Sequence, residues 1–326
     1  ARVAALLARC PAAAETPLVD APGIARRAGV ASVHVKDERA RMGLGSFKAL
    51  GAAYVIACDA VARGGDPATA LAGTTYVTAS AGNHGLSVAA GARVFGARAV
   101  VYLAERVPEG FAKRLRARGA EVRRAGADYE ASMEAAAEAA RREGWLLLSD
   151  SSWAGYTEVP QRLMEGYLAL IDEAARQIRE PPTHIFLQAG VGGLAGAVAA
   201  FARKLWGGAP RVVVVEPEAA PALMQSVRAG RAVVAPGPVS IMGRLDCKEP
   251  SLIALKGLAR DADAFVAITE EEAAEAMPVL AAEGLATTPS GGAGLAALLA
   301  AGPHGQALGL GPASRVLAIL SEEPEA

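Results

Sequence analysis

The stretch His184-Ile185-Phe186-Leu187-Gln188-Ala189-Gly190-Val191-Gly192-Gly193-Leu194-Ala195-Gly196 decides the architecture of this chain. Taken over residues 185–202, the apolar run it opens is about long enough to span a bilayer. Gly190, Gly192, Gly193 and Gly196 break that run in the middle. A short apolar segment ahead of glycines is the end of a buried strand, so the better parse is strand, glycine turn and helix. Glycines placed there expose backbone amides at the positive end of the helix dipole, a setting that suits a phosphate.

The same alternation runs through the chain. Short apolar runs at 33–35, 76–78, 99–103, 121–123, 146–148, 184–187, 212–215, 264–267 and 316–320 are each followed by a longer amphipathic segment, which argues for parallel strands with helical crossovers. Helices are expected over 47–60, 84–94, 129–143, 161–177, 194–205 and 270–277. The last follows Thr269, a suitable cap, and carries acidic residues in its first turn. Pro278 is expected to end or kink it. Pro181-Pro182 marks a boundary, and Pro236-Gly237-Pro238 opens a long loop between Ala235 and Pro250. The expected organisation is an α/β protein with a small domain over 74–150 and a large one over 1–73 and 151–326.

Composition narrows the functional classes. The chain of 326 residues carries 33 Lys+Arg against 34 Asp+Glu, mixed along its length. Its densest basic stretch, 113–124, has the helical spacing of a solvated face, so nucleic acid is not an expected partner. Cys10, Cys58 and Cys247 lie far apart and the histidines are scattered, which argues against a disulfide scaffold and a structural metal site. No charged n-region with a following apolar h-region opens the chain, and a cytoplasmic protein is the expectation.

Two further segments carry chemistry. Lys48 lies in Gly45-Ser46-Phe47-Lys48-Ala49-Leu50-Gly51. Small and apolar neighbours disfavour an ammonium, and a neutral amine attacks carbonyls; the base rate alone makes it a surface lysine at a helix start. Thr78-Ala79-Ser80-Ala81-Gly82-Asn83-His84-Gly85 follows a strand and opens a helix. Its small residues let backbone approach a ligand and Asn83 offers both a donor and an acceptor, although an ordinary turn fits equally well. The third segment has a rival reading. Gly190-x-Gly192-x-x-Ala195, with Glu216 about twenty residues further on, fits the dinucleotide fingerprint and leaves an NAD-dependent oxidoreductase open. Asp37 and Glu38 either tune Lys48 or form a solvated turn. Trp153 and Tyr156 either wall a site or pack at a helix start.

Together the three segments resemble the fold type II pyridoxal-phosphate enzymes, the group of threonine and serine dehydratases, threonine synthase and the tryptophan synthase β chain. Within that group the chain is similar to the diaminopropionate ammonia-lyases. The similarity is carried by Val35-Lys36-Asp37-Glu38, Asp150-Ser151-Ser152-Trp153-Ala154-Gly155-Tyr156, Leu187 to Gly192, Ile241-Met242-Gly243-Arg244-Leu245-Asp246-Cys247-Lys248-Glu249-Pro250 and Ser290-Gly291-Gly292-Ala293. It extends from Thr16 onward.

The resemblance implies two open, twisted, mostly parallel sheets flanked by helices, with pyridoxal 5′-phosphate between a large and a small domain. Lys48 would be the Schiff-base residue and the base at Cα, and Asp150 the second catalytic residue, recognising the amino substrate. Phe47, Lys48, Asn83, Gly190, Val191, Gly192, Gly193, Leu194 and Ser321 would bind the cofactor, with Asn83 on the ring hydroxyl and the Ser321 hydroxyl facing the ring nitrogen. The implied reaction is α,β-elimination of ammonia from 2,3-diaminopropionate to give pyruvate and ammonia. Serine or threonine deamination is the alternative on the same fold, and a noncatalytic amino-acid-binding homologue is an alternative of another class. The family pattern places an aspartate for the D-isomer just before Gly82, where this chain has Ala81; the L-isomer is therefore expected. A homodimer acting on a small amino acid, without metal, nucleic acid or membrane as partner, completes the expectation.

Overall fold

The computed structural model describes residues 2–325, over which ten strands and twelve α-helices alternate. The strands are β1 (Leu18–Asp20), β2 (Ser32–Asp37), β3 (Thr75–Ala79), β4 (Arg98–Leu103), β5 (Glu121–Arg124), β6 (Leu146–Leu147), β7 (His184–Gln188), β8 (Arg211–Pro217), β9 (Ala264–Ile268) and β10 (Arg315–Leu320). The helices are α1 (Arg2–Leu7), α2 (Pro22–Ala28), α3 (Lys48–Arg63), α4 (Asn83–Val94), α5 (Glu109–Ala117), α6 (Tyr129–Glu143), α7 (Glu158–Gln177), α8 (Gly193–Trp206), α9 (Ala222–Ala229), α10 (Leu252–Asp261), α11 (Glu270–Ala282) and α12 (Pro289–Ala300). They group into two compact units. One holds the segment ending at Ala13, Lys48–Asp150 and Glu158–Gly166; the other holds Ala14–Phe47, Ser151–Thr157 and the chain from Tyr167 onward.

In the first unit the sheet order is β5-β4-β3-β6, parallel throughout. Every residue of β3 is buried, as a strand covered on both faces requires. Ala136, Ala139 and Ala140 of α6 pack against Val77, Ala79 and Val100. Small side chains also let α3 and α7 approach to backbone contact: a Cβ on Gly166 would lie 2.5 Å from the Leu50 carbonyl oxygen. Because α3 packs on α4, this unit extends beyond the 74–150 segment and takes in residues 48–63 as well.

In the second unit the order is β1-β2-β10-β7-β8-β9, with β1 antiparallel to β2 and the remaining pairs parallel. The run Val212-Val213-Val214-Val215 in β8 is fully buried, which is why it reads as unbroken apolar sequence and not as alternation. Helix α12, rich in Gly and Ala, is buried from Ser290 to Leu298 and packs on β7 and β10. Gln188 ties three elements together, its amide donating to the carbonyls of Gly291 at 2.8 Å and Ile319 at 2.9 Å.

Pro278 does not end its helix, since α11 continues through it to Ala282. One ladder hydrogen bond is lost there. The helix is held instead by its capping box, in which the Thr269 hydroxyl accepts from Glu272 N–H while the Glu272 carboxylate accepts from Thr269 N–H, and by Leu280, buried in the core with α12. Between α9 and α10 the chain forms neither helix nor strand, in keeping with the loop expected from Pro236-Gly237-Pro238.

Charge is buried beside the sheet of the second unit. Arg41 is 1 % exposed, and its guanidinium donates to both oxygens of Glu38, both oxygens of Glu173, the Thr16 hydroxyl and the Ala14 carbonyl, at 2.7 to 3.0 Å. Lys36, fully buried, donates to the Thr16 carbonyl at 2.6 Å and to Gln177 at 3.0 Å, and pairs with Glu173 at 2.7 Å. Burial by itself would raise the Glu173 carboxyl, but hydrogen bonds from Arg41 and Lys36 hold it below its ordinary value. Glu38 is thus no part of a solvated turn. Asp37 is engaged as well, both its oxygens accepting from Arg39. Replacing Arg41 by Met strands two buried carboxylates, and a loss of about 3–5 kcal/mol is expected, read as a fall in the urea midpoint; an unchanged midpoint would show that water enters the cluster.

Candidate active site

In the first unit, Lys48 opens α3 and its Nζ donates to Asp150 Oδ2 at 2.5 Å. The two side chains are 24 % and 17 % exposed, so the pair is reachable yet poorly screened. Burial by itself would raise the Asp150 carboxyl. The Lys48 charge, then His84 and the Lys48 hydrogen bond, outweigh burial and hold it well below the ordinary carboxylate range. Lys48 is thus an ion-paired lysine at the mouth of a helix, and not the isolated amine that its small neighbours suggested.

Asn83 is the first residue of α4 and follows Gly82, whose backbone is extended. The turn is organised by Ser80, whose hydroxyl accepts the N–H groups of Gly82 at 3.2 Å and Gly85 at 3.1 Å. Gly85 has to be glycine, because a Cβ there would lie 2.9 Å from the Ser80 carbonyl oxygen. His84 is buried, and its Nε2 lies 2.8 Å from the Leu148 carbonyl. A carbonyl only accepts, so Nε2 carries the hydrogen and Nδ1 is the bare acceptor. Leu148 is also held by its N–H, which donates to Val77 at 2.9 Å, so the chain running to Asp150 is fixed from both sides. His84 and Ser80, quoted with this turn in the sequence but given no role there, are its supports; their burial and partners are set in space and leave no local signal.

In the second unit, Gly190, Val191 and Gly192 lead from β7 into α8, whose first residues are Gly193 and Leu194. Gly192, with φ +98°, is the cap of α8 and offers no side chain to its amides. The first N–H groups of α8 therefore lack both intrahelical acceptors and a side-chain cap. Gly190 is confined by its neighbours, since a Cβ would meet Cys247 Sγ at 3.0 Å and the Arg244 carbonyl oxygen at 3.1 Å. Phe47 and Ser321 lie together: the Phe47 N–H donates to the Ser321 carbonyl at 3.1 Å, and the Phe47 ring packs edge-on against Tyr167 at 4.9 Å. Glu322, 4 % exposed, accepts from the Thr288 hydroxyl and pairs with Arg244 Nε at 2.9 Å. Trp153 and Tyr156 stack on each other at 4.5 Å, with Trp153 partly exposed.

Glu216 decides against a ribose-binding acid. It is fully buried, and its two oxygens accept the N–H groups of Leu223 at 2.7 Å and Met224 at 2.8 Å at the start of α9. The carboxylate caps a helix from within the chain and is closed off from solvent. Among the described residues, no cluster of His, Cys, Asp and Glu is arranged to hold a metal ion, and no helix is long and apolar enough to cross a membrane.

Residues 10–322 match the family of pyridoxal-phosphate dependent enzymes. The chain is 34 % identical over 296 residues to diaminopropionate ammonia-lyase of Salmonella typhimurium, covering 84 % of this chain and 73 % of that protein. It is 29 % identical over 286 residues to a serine dehydratase-like protein of Rattus norvegicus, covering 87 % of this chain and 81 % of that one. The crystal structure of diaminopropionate ammonia-lyase from Escherichia coli in complex with an aminoacrylate-PLP azomethine reaction intermediate superposes with a TM-score of 0.89 at 30 % identity, covering 99 % of this chain and 88 % of that one.

Burial raises the Glu216 carboxyl to about 7, against the two amides that favour its charge. The folded state then holds a proton that the unfolded state has released, so this group's contribution to stability is full below about 4.3, the unfolded value, and is lost as pH rises through about 7. Urea midpoints of the parent should fall between pH 5 and pH 8 relative to those of Glu216→Gln. Parallel pH profiles would show that the carboxylate stays ionised.

Proposed function

Because the chain belongs to the family of pyridoxal-phosphate-dependent enzymes, we propose that it is a lyase removing ammonia from L-2,3-diaminopropionate. With one water consumed, the balance is pyruvate and two molecules of ammonia. The observation that carries this reading is the Lys48–Asp150 pair, an amine held against a carboxylate that stays ionised.

The residues fit the family's cofactor. Uncapped amides at the start of α8, in a turn where glycine is required, suit a phosphate. Asn83 suits a ring hydroxyl, and the Ser321 hydroxyl suits a ring nitrogen that it leaves unprotonated. When bound, pyridoxal 5′-phosphate supplies an aldehyde for amines and a ring that takes up the electron pair left at Cα. Lys48 would hold the cofactor through Nζ, and the same Nζ would accept the Cα proton of the substrate. Asp150 pairs with the β-ammonium group of the substrate as opposite charges, an attraction that the neutral β-hydroxyl of serine does not offer even though it can donate a hydrogen bond. Ala81 leaves Lys48 as the proton acceptor and so favours the L-isomer.

The second reading, a deaminase of serine or threonine, is favoured by the small side chain of Ala81 and by the rat relative. A homodimer located in the cytoplasm belongs to the same proposal, carried over from the family resemblance.

The test is ammonia release from L- and D-diaminopropionate, serine and threonine. Lys48→Ala should abolish release. Asp150→Asn should lower kcat/KM for diaminopropionate relative to serine by about 1.5–3 kcal/mol in activation free energy, the value of a hydrogen bond to a charged group; an unchanged ratio counts against the role of Asp150. Ala81→Asp should add activity on the D-isomer, and a parent that already uses D-diaminopropionate as well as the L-form would refute the reading of Ala81.

A further inference from the structure

The loop between α9 and α10 has no backbone ladder of its own, and one side chain gathers it. Lys248 Nζ donates to the Ala219 carbonyl at 2.9 Å, the Pro238 carbonyl at 2.8 Å and Asp246 Oδ1 at 2.5 Å. An ammonium has three donors, and all three are used. The acceptors come from separate segments: one just after β8, one in the Pro236-Gly237-Pro238 turn and one two residues before the lysine itself. Glycine lets the first two close up, because a Cβ on Gly237 would lie 2.1 Å from the Ala219 oxygen. Two carbonyl dipoles and a carboxylate thus turn their negative ends on one point, an arrangement that repels itself unless a cation sits there. The Lys248 and Asp246 side chains are 24 % and 13 % exposed, so screening by water is partial.

The far side of this loop supports the turn after β7. Cys247, Arg244 and Leu245 confine Gly190, and Ser251 N–H donates to the Val191 carbonyl at 2.9 Å. The Lys248 carbonyl accepts from Ala235 N–H at 2.8 Å, closing the loop on itself. We propose that Lys248 is a built-in cation that positions Gly190 to Leu194 for phosphate, in place of a free monovalent ion. The proposal rests on the reading of that turn as the phosphate site.

The full-length protein is stripped of cofactor, and dissociation constants are measured for pyridoxal 5′-phosphate and for pyridoxal, which lacks the phosphate. Lys248→Met should weaken the phosphorylated ligand roughly tenfold and leave pyridoxal unchanged. Ammonium or potassium chloride should restore most of the loss in the variant and leave the parent unmoved. A purely structural lysine would weaken both ligands together. Equal weakening, parent-like affinity in the variant, or a loss that neither salt repairs overturns the proposal. If Lys248→Met does not fold, Asp246→Asn keeps the ammonium and removes its charge partner. A smaller loss confined to the phosphorylated ligand is then expected, and no loss overturns the proposal. A parent that binds both ligands equally removes the phosphate reading and the proposal with it, whereas a discriminating parent with an indifferent variant refutes Lys248 alone.

Discussion

Glu38, Glu173, Lys36 and Arg41 are all buried in one unit, and none of them is tolerable there without the others. An unpaired buried carboxylate is worth several kcal/mol of destabilisation, so β2, the segment around Thr16 and the C-terminal half of α7 are bound to one arrangement. Six donor contacts from a single guanidinium set that arrangement, which a lysine with a point charge would not reproduce. The chain leaves this anchor at Arg41, passes Met42 at φ +53° and glycines at 43 and 45, and reaches Phe47, whose N–H is taken by Ser321. The position of Phe47 is therefore determined on both sides, by buried charge upstream and by the residue that follows the last strand of the sheet.

Glycine is used after the neighbouring parallel strand β7 to a different purpose. At Gly190 and Gly192 the absence of Cβ admits the neighbouring loop and leaves the α8 amides uncapped. Glu216, one strand over, shows the contrasting solution: its carboxylate occupies the amides of α9 from within the chain. Two helix starts beside adjacent strands thus differ in one respect. One is capped by a side chain from within the chain and the other has no side-chain cap.

The Lys48–Asp150 pair joins stability to chemistry. In the proposed reaction, an amine that holds a carbonyl compound and then moves a proton needs a partner that steadies it without replacing it. Asp150 is suited to this because its own position is held through Leu148 by His84 and Val77. With Ala81 in the neighbouring turn, no second carboxylate comes from that position to share the proton.

The strands and the glycine turns were legible in the sequence, because buried parallel strands require unbroken apolar runs and tight turns require glycine. Lys48, Asn83 and the 190–194 turn needed no coordinates to be singled out. The ion cluster was not legible: Glu38 and Glu173 lie far apart in the chain, and nothing local distinguishes a buried acid from a solvated one. Glu216 misled for the same reason, since a capping carboxylate and a ribose-binding one occur at the same spacing. The end of α11 at Pro278, one of the two outcomes expected there, did not occur, because the helix continues to Ala282 packed on α12. The family was reached by the resemblance of motifs in their order along the chain, while the strands and turns followed from local backbone sterics and hydrophobicity. Which charges are neutralised, and by whom, followed only from the tertiary structure, because electrostatic partners are chosen in space.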